Sequence, residues 1–356
     1  MNDTPYLIKR FPKLAKLGWR ELVSRPTPVQ GMHSLAEAHN LGELWIKRDD
    51  LSNSGYGGNK PRKLEFLFGD LLDKGSSGFV TTGGIGTNHG VACAFHARSF
   101  GLRCHVVLFD QPLTDHCRKA LKIMHSLGAE MHWAGNYAMT AIKTLGVMAG
   151  SRFSADPPVR LVLPGGSNAL GTVGFVDAAF ELADQVAAKE LPEPKRIYCA
   201  VGSCGTCAGL LAGTRLAGLK TEIVGVQVAP GFVVNPKAIA HLANRTIDLM
   251  RSVDDSVPQM EFTRNDLRLL TDQYGGEYGR VTEAGQRAVD DAMEYEQLRL
   301  ETTYTGKAMA GMLADLKDDS RFPSLFWNTY NSVDLSSIAE QVSCEELPTP
   351  FRRFFR

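Results

Sequence analysis

The sequence predicts an α/β fold, and three observations predict it. Short apolar, β-branched runs, GFVTTGG (78–84), RCHVVLF (103–109), RLVLPGG (160–166), RIYCAVGS (196–203) and EIVGVQV (222–228), read as buried strands. Between them FLFGDLLDKG (66–75), VACAFHARSFG (91–101), CRKALKIMHSLG (117–128) and FVDAAFELADQVAAK (175–189) carry apolar residues at helical spacing, and several end near glycine. Glycine clusters stand where strands end, at Gly83-Gly84, Gly165-Gly166 and Gly202 to Gly205. Strand, helix and strand in this rhythm mean right-handed crossovers and parallel sheets covered on both faces. Ligands of such sheets bind beyond the carboxyl ends of the strands, so the three clusters are expected to face one cleft.

With 356 residues, 44 % of them hydrophobic, the chain can bury a large core and is long enough for two domains. The 39 Lys and Arg balance the 39 Asp and Glu, so no net field draws nucleic acid or anionic membrane, and the expected partner is small. The stretch MNDTPYLIKRFPKLAKLGWREL has no apolar run of signal-peptide length, and no later run approaches the ~20 apolar residues of a spanning helix. A cytoplasmic protein is expected. Seven scattered cysteines suit a reducing compartment in which most are small buried hydrophobes. Residues 229–275 have weaker periodicity and read as a crossing between domains. The end, PTPFRRFFR (348–356), reads as a docked or frayed tail.

The segment YCAVGSCGTCAGLL (198–211) contains Cys204-Gly205-Thr206-Cys207. A C-x-x-C can be redox-active or supply half a zinc site. Here a strand ends in Gly-Ser, a small-residue turn follows, and AGLLAGTRLAG continues as a helix. Such a loop aims backbone N–H groups and the positive end of a helix dipole at one spot suited to phosphate, and Ser203 and Thr206 add hydroxyls. No second C-x-x-C or histidine pair completes a zinc site. Phosphate binding is the favoured reading, and a lone glycine-rich loop is a weak signal for it.

In IKRDDLSNSGYGGNKPRKLEFL (46–67), Asn59-Lys60-Pro61-Arg62-Lys63 opens a helix, with Pro61 acceptable in the first turn. Three basic residues there oppose the macrodipole, an arrangement that an anion or covalent loss of charge relieves. A buried or cation-flanked lysine has a lowered pKa and attacks carbonyls as a Schiff base requires, which makes Lys60 the candidate nucleophile. The ordinary alternative is one more solvated lysine.

In order, GGNKPRKLE, TTGGIGTNHG, LPGGSNALGTVG, VGSCGTCAGL, GEYGRVTEAG and YTGKAMAGM resemble the 1-aminocyclopropane-1-carboxylate deaminase and D-cysteine desulfhydrase family. These are pyridoxal-phosphate enzymes of the two-domain, tryptophan-synthase-β-like fold, also termed fold type II. The resemblance runs from about Pro26 to Met312. It implies a large cofactor domain of residues 1–64 plus 176–356 and a small α/β domain of residues 65–175, with the active site in the cleft between them. Each domain would be a mostly parallel twisted sheet flanked by helices.

By the same resemblance Lys60 would carry pyridoxal phosphate as a Schiff base and Lys63 would reach its phosphate. Asn59 and Asn88 would lie beside the ring. Ser203, Cys204, Gly205 and Thr206 match the phosphate cup, which makes the C-x-x-C an accident of small residues. Thr87, where the family usually has Ser, keeps a hydroxyl for the substrate carboxylate or proton transfer. Tyr278 and Tyr304 match tyrosines near the substrate amine and leaving group, and His89 completes the T-N-H triplet. Thr305 takes the position facing the pyridine nitrogen, where the deaminase branch has Glu. A neutral hydroxyl makes a weak electron sink that suffices for a good leaving group, so Thr305 implies β-elimination of a D-cysteine-like amino acid. Thr329 matches the threonine of the desulfhydrase H-T-G-G.

Two departures fall at expected ligand positions. Gly86-Thr87 replaces Gln-Ser, which is expected to open space, and Asn328-Thr329-Tyr330-Asn331 replaces H-T-G-G. Cyclopropane opening by a deaminase, a catalytically altered pyridoxal-phosphate-binding homologue and a redox C-x-x-C protein are the alternatives. The histidines His89, His96, His105, His116, His125 and His132 show none of the pair spacings of zinc motifs, and no metal is expected. A homodimer is the expected assembly.

Overall fold

A computed structural model describes residues 4–153 and 156–356. The chain forms two compact units, one of residues 1–17, 21–66 and 167–332, the other of 18–20, 67–166 and 333–356. The first contains β1 (Val29–Gly31), β2 (Leu44–Lys47), β7 (Arg196–Val201), β8 (Glu222–Gln227), β9 (Arg268–Leu270) and β10 (Ser324–Trp327). They form one sheet in the order β1-β2-β10-β7-β8-β9, parallel throughout except for the β1–β2 pair. Its central strands are unbroken apolar runs because both faces are covered. Ile197, Tyr198, Ile223, Val224 and Leu325 to Trp327 are all buried. One core gathers Ile46, Tyr198, Val224, Val226 and Phe326 from the strands and Met309, Met312 and Leu313 from the Thr305–Leu316 helix. Each such side chain contributes about 1.5–3 kcal/mol by leaving water.

The second unit holds β3 (Gly78–Gly84), β4 (Arg103–Phe109), β5 (Glu130–Gly135) and β6 (Arg160–Leu161), all parallel in the order β5-β4-β3-β6. Its helices start where the sequence offers a short polar side chain. Thr87 caps the Asn88–Ala97 helix, Thr114 the Asp115–Ser126 helix and Asn136 the Tyr137–Ser151 helix, each accepting a backbone N–H of the first turn. The strands and helices predicted from periodicity are present. RLVLPGG is the exception, since only Arg160–Leu161 pair before a 3-10 turn over Pro164–Gly166. Pro164 cannot donate to a ladder, and Gly165 and Gly166 take φ of +67° and +63°, a backbone region open to glycine.

Residues 229–275 do not cross between units. They lie wholly in the first and contain the Pro236–Val253 helix, whose buried stripe includes Ile239, Ala243, Ile247 and Met250. Residues 333–356, counted with the larger domain on sequence, cluster with the second unit. There the tail docks, with Phe351 buried, the Arg353 guanidinium 3.9 Å from the Trp133 ring centroid, and an Arg353–Asp110 ion pair. Among the described residues no helix is long and apolar enough to cross a membrane.

Candidate active site

Lys60, in the first unit, begins the Lys60–Asp73 helix, and the segment before it is fixed by the chain that follows β10. The Asn59 N–H donates to the Thr329 carbonyl (3.1 Å), and the Gly57 N–H donates to Asn331 Oδ1 (2.8 Å). Asn331, one of the residues standing in place of a glycine, thus ties down the loop that presents Lys60. Thr329 does so through its carbonyl oxygen. Asn328 Nδ2 is buried without a hydrogen-bond partner among the described residues, a donor left at the carboxyl end of β10. Lys60 Nζ donates to Asn59 Oδ1 (2.6 Å), while Asn59 Nδ2 donates to Thr206 Oγ1 (3.1 Å). Asn59 therefore links the lysine to the loop after β7.

That loop is a cup of donors. Lys63 Nζ donates to Ser167 Oγ (3.2 Å), Ser167 and Ser203 share a hydrogen bond (2.9 Å), and the Gly205 N–H points at Ser167 Oγ (3.3 Å). Cys204 sits at φ +66°, a conformation costing of order 1–3 kcal/mol that clusters at ligand clamps. The turn it makes starts the Gly205–Leu216 helix, whose first N–H, that of Gly205, faces the cup. A Cβ at Gly205 would lie 2.6 Å from Ser167 Oγ and 3.0 Å from Lys63 Nζ, so the cup needs glycine there. Burial and the neighbouring Lys60 push the Lys63 pKa well down. An anion among these donors would reverse that shift, so the residues present fit a phosphate.

Ser167 was not singled out from sequence, although LPGGSNALGTVG contains it. Its signal is its place next to Asn168, which caps the Ala169–Ala187 helix.

Arg62 behaves oppositely to the other basic residues of its turn. Its guanidinium is fully buried and contacts Asp49 (2.7 Å), Glu181 (2.9 Å) and Thr27 Oγ1 (2.9 Å). Asp49 also accepts from Trp327 Nε1 (2.7 Å), and Lys47 contacts Glu181 (2.6 Å). Beside them buried Arg25 pairs with Glu65 and, at 3.1 Å, with Asp177. Burial disfavours every one of these charges, yet Asp49 and Glu181 hold Arg62 well above its ordinary pKa, and Arg62 and Lys47 hold Glu181 well below the carboxylate range. Arg62 thus already has anions of its own, a correction to the reading of three cations awaiting one.

Thr305 is fully buried at the start of its helix. Its Oγ1 accepts from the Glu301 N–H (3.0 Å), whereas the acceptors within reach of its proton, the Glu301 carbonyl and carboxylate, lie at 3.4 and 3.3 Å. Those are long for a hydroxyl donor. The Glu301 carboxylate is occupied by the N–H groups of Thr303, Tyr304 and Thr305, each at 2.8 Å. The Tyr278 and Tyr304 hydroxyls share a short hydrogen bond, with ring planes at 75°. Burial and the adjacent Tyr278 raise the Tyr304 pKa, so the phenol is neutral at physiological pH. Lys307 Nζ donates to the Tyr274 carbonyl (2.7 Å), which anchors the segment leading to Tyr278.

In the second unit Thr87 Oγ1 accepts from the Gly90 N–H (3.2 Å), and Asn88 opens the helix. His89 is buried, with Nε2 3.0 Å from Thr81 Oγ1 and Cys93 beside the ring. Gly86 does not open space as expected. A Cβ there would meet Cys117 Sγ at 2.8 Å, Gln111 Nε2 at 3.1 Å and His116 Cδ2 at 3.3 Å. The Gly86 N–H instead meets Gln111 Oε1 (3.3 Å), so an amide from beyond β4 fills the place.

Cys204 and Cys207 are both free. Burial raises the Cys204 pKa, and a hydrogen bond with Cys199 together with burial raises that of Cys207, the opposite of a reactive dithiol.

D-cysteine desulfhydrase of Salmonella choleraesuis (strain SC-B67) is 34% identical over 337 residues, and that of Klebsiella pneumoniae (strain 342) 32% over 332, each alignment covering 90% of this chain and 94% of the relative. A solved structure described as an ACC deaminase homologue superposes with a TM-score of 0.78 at 26% identity, covering 90% of this chain and 94% of its own. Maize serine racemase, at 18% identity and a TM-score of 0.62 over 94% of this chain and 95% of its own, shares the fold. Residues 21–325 match the family described as pyridoxal-phosphate dependent enzyme, a span that includes the lysine, the donor cup and Thr305, and the chain belongs to that family.

Proposed function

We propose that this enzyme is a D-cysteine desulfhydrase-like lyase, converting a small β-substituted D-amino acid and water to pyruvate, ammonia and, for D-cysteine, hydrogen sulfide. The observation that carries the reading is Thr305, a neutral hydroxyl whose proton is only loosely held and beside which the Glu301 carboxylate is occupied by three N–H groups. When bound, pyridoxal phosphate supplies an electron sink for cleavage of bonds at the substrate α-carbon. Lys63, Ser167, Ser203, Gly205 and Thr206 would hold its phosphate, and Thr305 would donate its proton to the ring nitrogen, keeping the sink weak. Such a sink serves a thiolate leaving group better than an unactivated ring carbon.

Lys60 would take the α-proton on Nζ, with Asn59 Oδ1 orienting the amine. The Tyr278–Tyr304 pair offers a neutral, partly buried phenol to the departing group. The family, the curated relatives and the donor cup support these assignments. We place the enzyme in the cytoplasm and assign it a homodimeric assembly, which light scattering of the purified protein tests.

The test is 2-oxo acid release, read as pyruvate from D-cysteine, β-chloro-D-alanine and L-cysteine and as 2-oxobutanoate from 1-aminocyclopropane-1-carboxylate, compared in wild type and Lys60→Ala. Release from the D-substrates that vanishes in the variant is expected. Release from the cyclopropane amino acid alone would overturn the reading.

A further inference from the structure

In the second unit, β4 and β5 bring together three side chains that no sequence motif connects. The strands pair in parallel with His105 beside Glu130 and Val107 beside His132. Because side chains alternate across a strand, His105, Glu130 and His132 share one face. His105 Nδ1 lies 3.4 Å from His132 Nε2 and 3.3 Å from Glu130 Oε2, and one donor atom from each residue falls within 4.8 Å of the others. Ligands bound tetrahedrally at 2.0–2.1 Å from zinc stand about 3.3–3.4 Å apart. The two spacings match.

We propose that His105, Glu130 and His132 bind a borderline divalent transition-metal cation of the Zn²⁺ type, with water completing its coordination, and so clip β4 to β5.

Imidazole nitrogens with a carboxylate oxygen form the donor set such cations prefer over Mg²⁺ or Ca²⁺. Burial pushes both imidazoles below their ordinary pKa against the pull of Glu130, with His132 and then Arg103 assisting at His105 and Lys143 at His132. Both rings are therefore neutral near pH 7, the form that ligates. His105 Nε2 is buried with no hydrogen-bond partner among the described residues, which leaves Nδ1 as the ring's working nitrogen. His105 is only 8% exposed, while the Glu130 side chain is 51% exposed, so the site is preformed on one side and open to an incoming ion on the other. It sits near the amino ends of its strands, the opposite end from Gly83-Gly84 and Thr87. A structural clip fits that position.

The experiment is equilibrium dialysis of the tag-free, pyridoxal-phosphate-loaded enzyme against Zn²⁺, with thermal unfolding in parallel. Wild type is expected to take up one Zn²⁺ per chain and to melt higher with it. Affinity should fall more than about tenfold, the scale on which even supporting groups act at metal sites, in both His132→Gln and Glu130→Gln. Glu130→Gln alters an exposed side chain and guards against a folding artefact, which unchanged cofactor absorbance verifies. Cys344→Ser, which removes the one cysteine that is not buried, should bind as wild type does. Failure of wild type to bind, unchanged binding in both ligand variants, or loss of binding in Cys344→Ser would each overturn the proposal. None of these outcomes touches the lyase reading, which pyruvate release tests separately.

Discussion

Arg62 and Lys63 are adjacent, both cationic in the unfolded chain, and both buried, yet the protein treats them oppositely. Arg62 is surrounded by Asp49 and Glu181 and held charged. Lys63 faces hydroxyls and a helix N-terminus, and burial with Lys60 pushes its pKa down. A cation that serves the fold comes with its own carboxylates. A cation proposed to serve a ligand meets a hydroxyl instead, and its burial raises the free energy of the ligand-free state.

The largest expected effect breaks the first half of that contrast. Asp49→Ala leaves Arg62 short of an anion and Trp327 without its acceptor, and should cost about 3–5 kcal/mol in a urea denaturation series. Lys63→Met addresses the second half. It removes a charged hydrogen-bond donor worth about 1.5–3 kcal/mol to a bound phosphate, so pyridoxal phosphate affinity, followed by absorbance titration, should fall about 10- to 150-fold. The urea midpoint of the cofactor-free protein should stay level or rise. Gly205→Ala forces a methyl group against Ser167 and Lys63 and should weaken cofactor binding by about 1–3 kcal/mol.

A pH series sharpens the contrast with the smallest signal. The folded-state pKa of Lys63 lies below its unfolded value, so between the two the unfolded chain binds the additional proton. Stability of the cofactor-free protein should therefore rise with pH across that window. Lys63→Met should flatten the slope by up to about 1.4 kcal/mol per pH unit. An unchanged slope would mean that Lys63 is not the group held back.

What could be read from the sequence follows the same division. The strands, the glycine clusters and the lysine segment are local patterns, and the ordered motifs carried the family and the cup residues Ser203 to Thr206. The arginine network could not be read, because Glu181 is 119 residues from Arg62 and Asp177 is 152 from Arg25. Charges so far apart reveal their pairing only after the chain has folded. His105 and His132 are 27 residues apart and meet only through the β4–β5 register. Gly86 misled for a related reason: the loss of its side chain suggested space, whereas Gln111 occupies it from another element.

The most direct test of the account is to treat the pyridoxal-phosphate-loaded enzyme with borohydride and locate the added mass by peptide mapping. The account predicts modification at Lys60, with Lys63 unmodified because it is engaged at the phosphate. Modification at Lys63, or at any lysine other than Lys60, would contradict it.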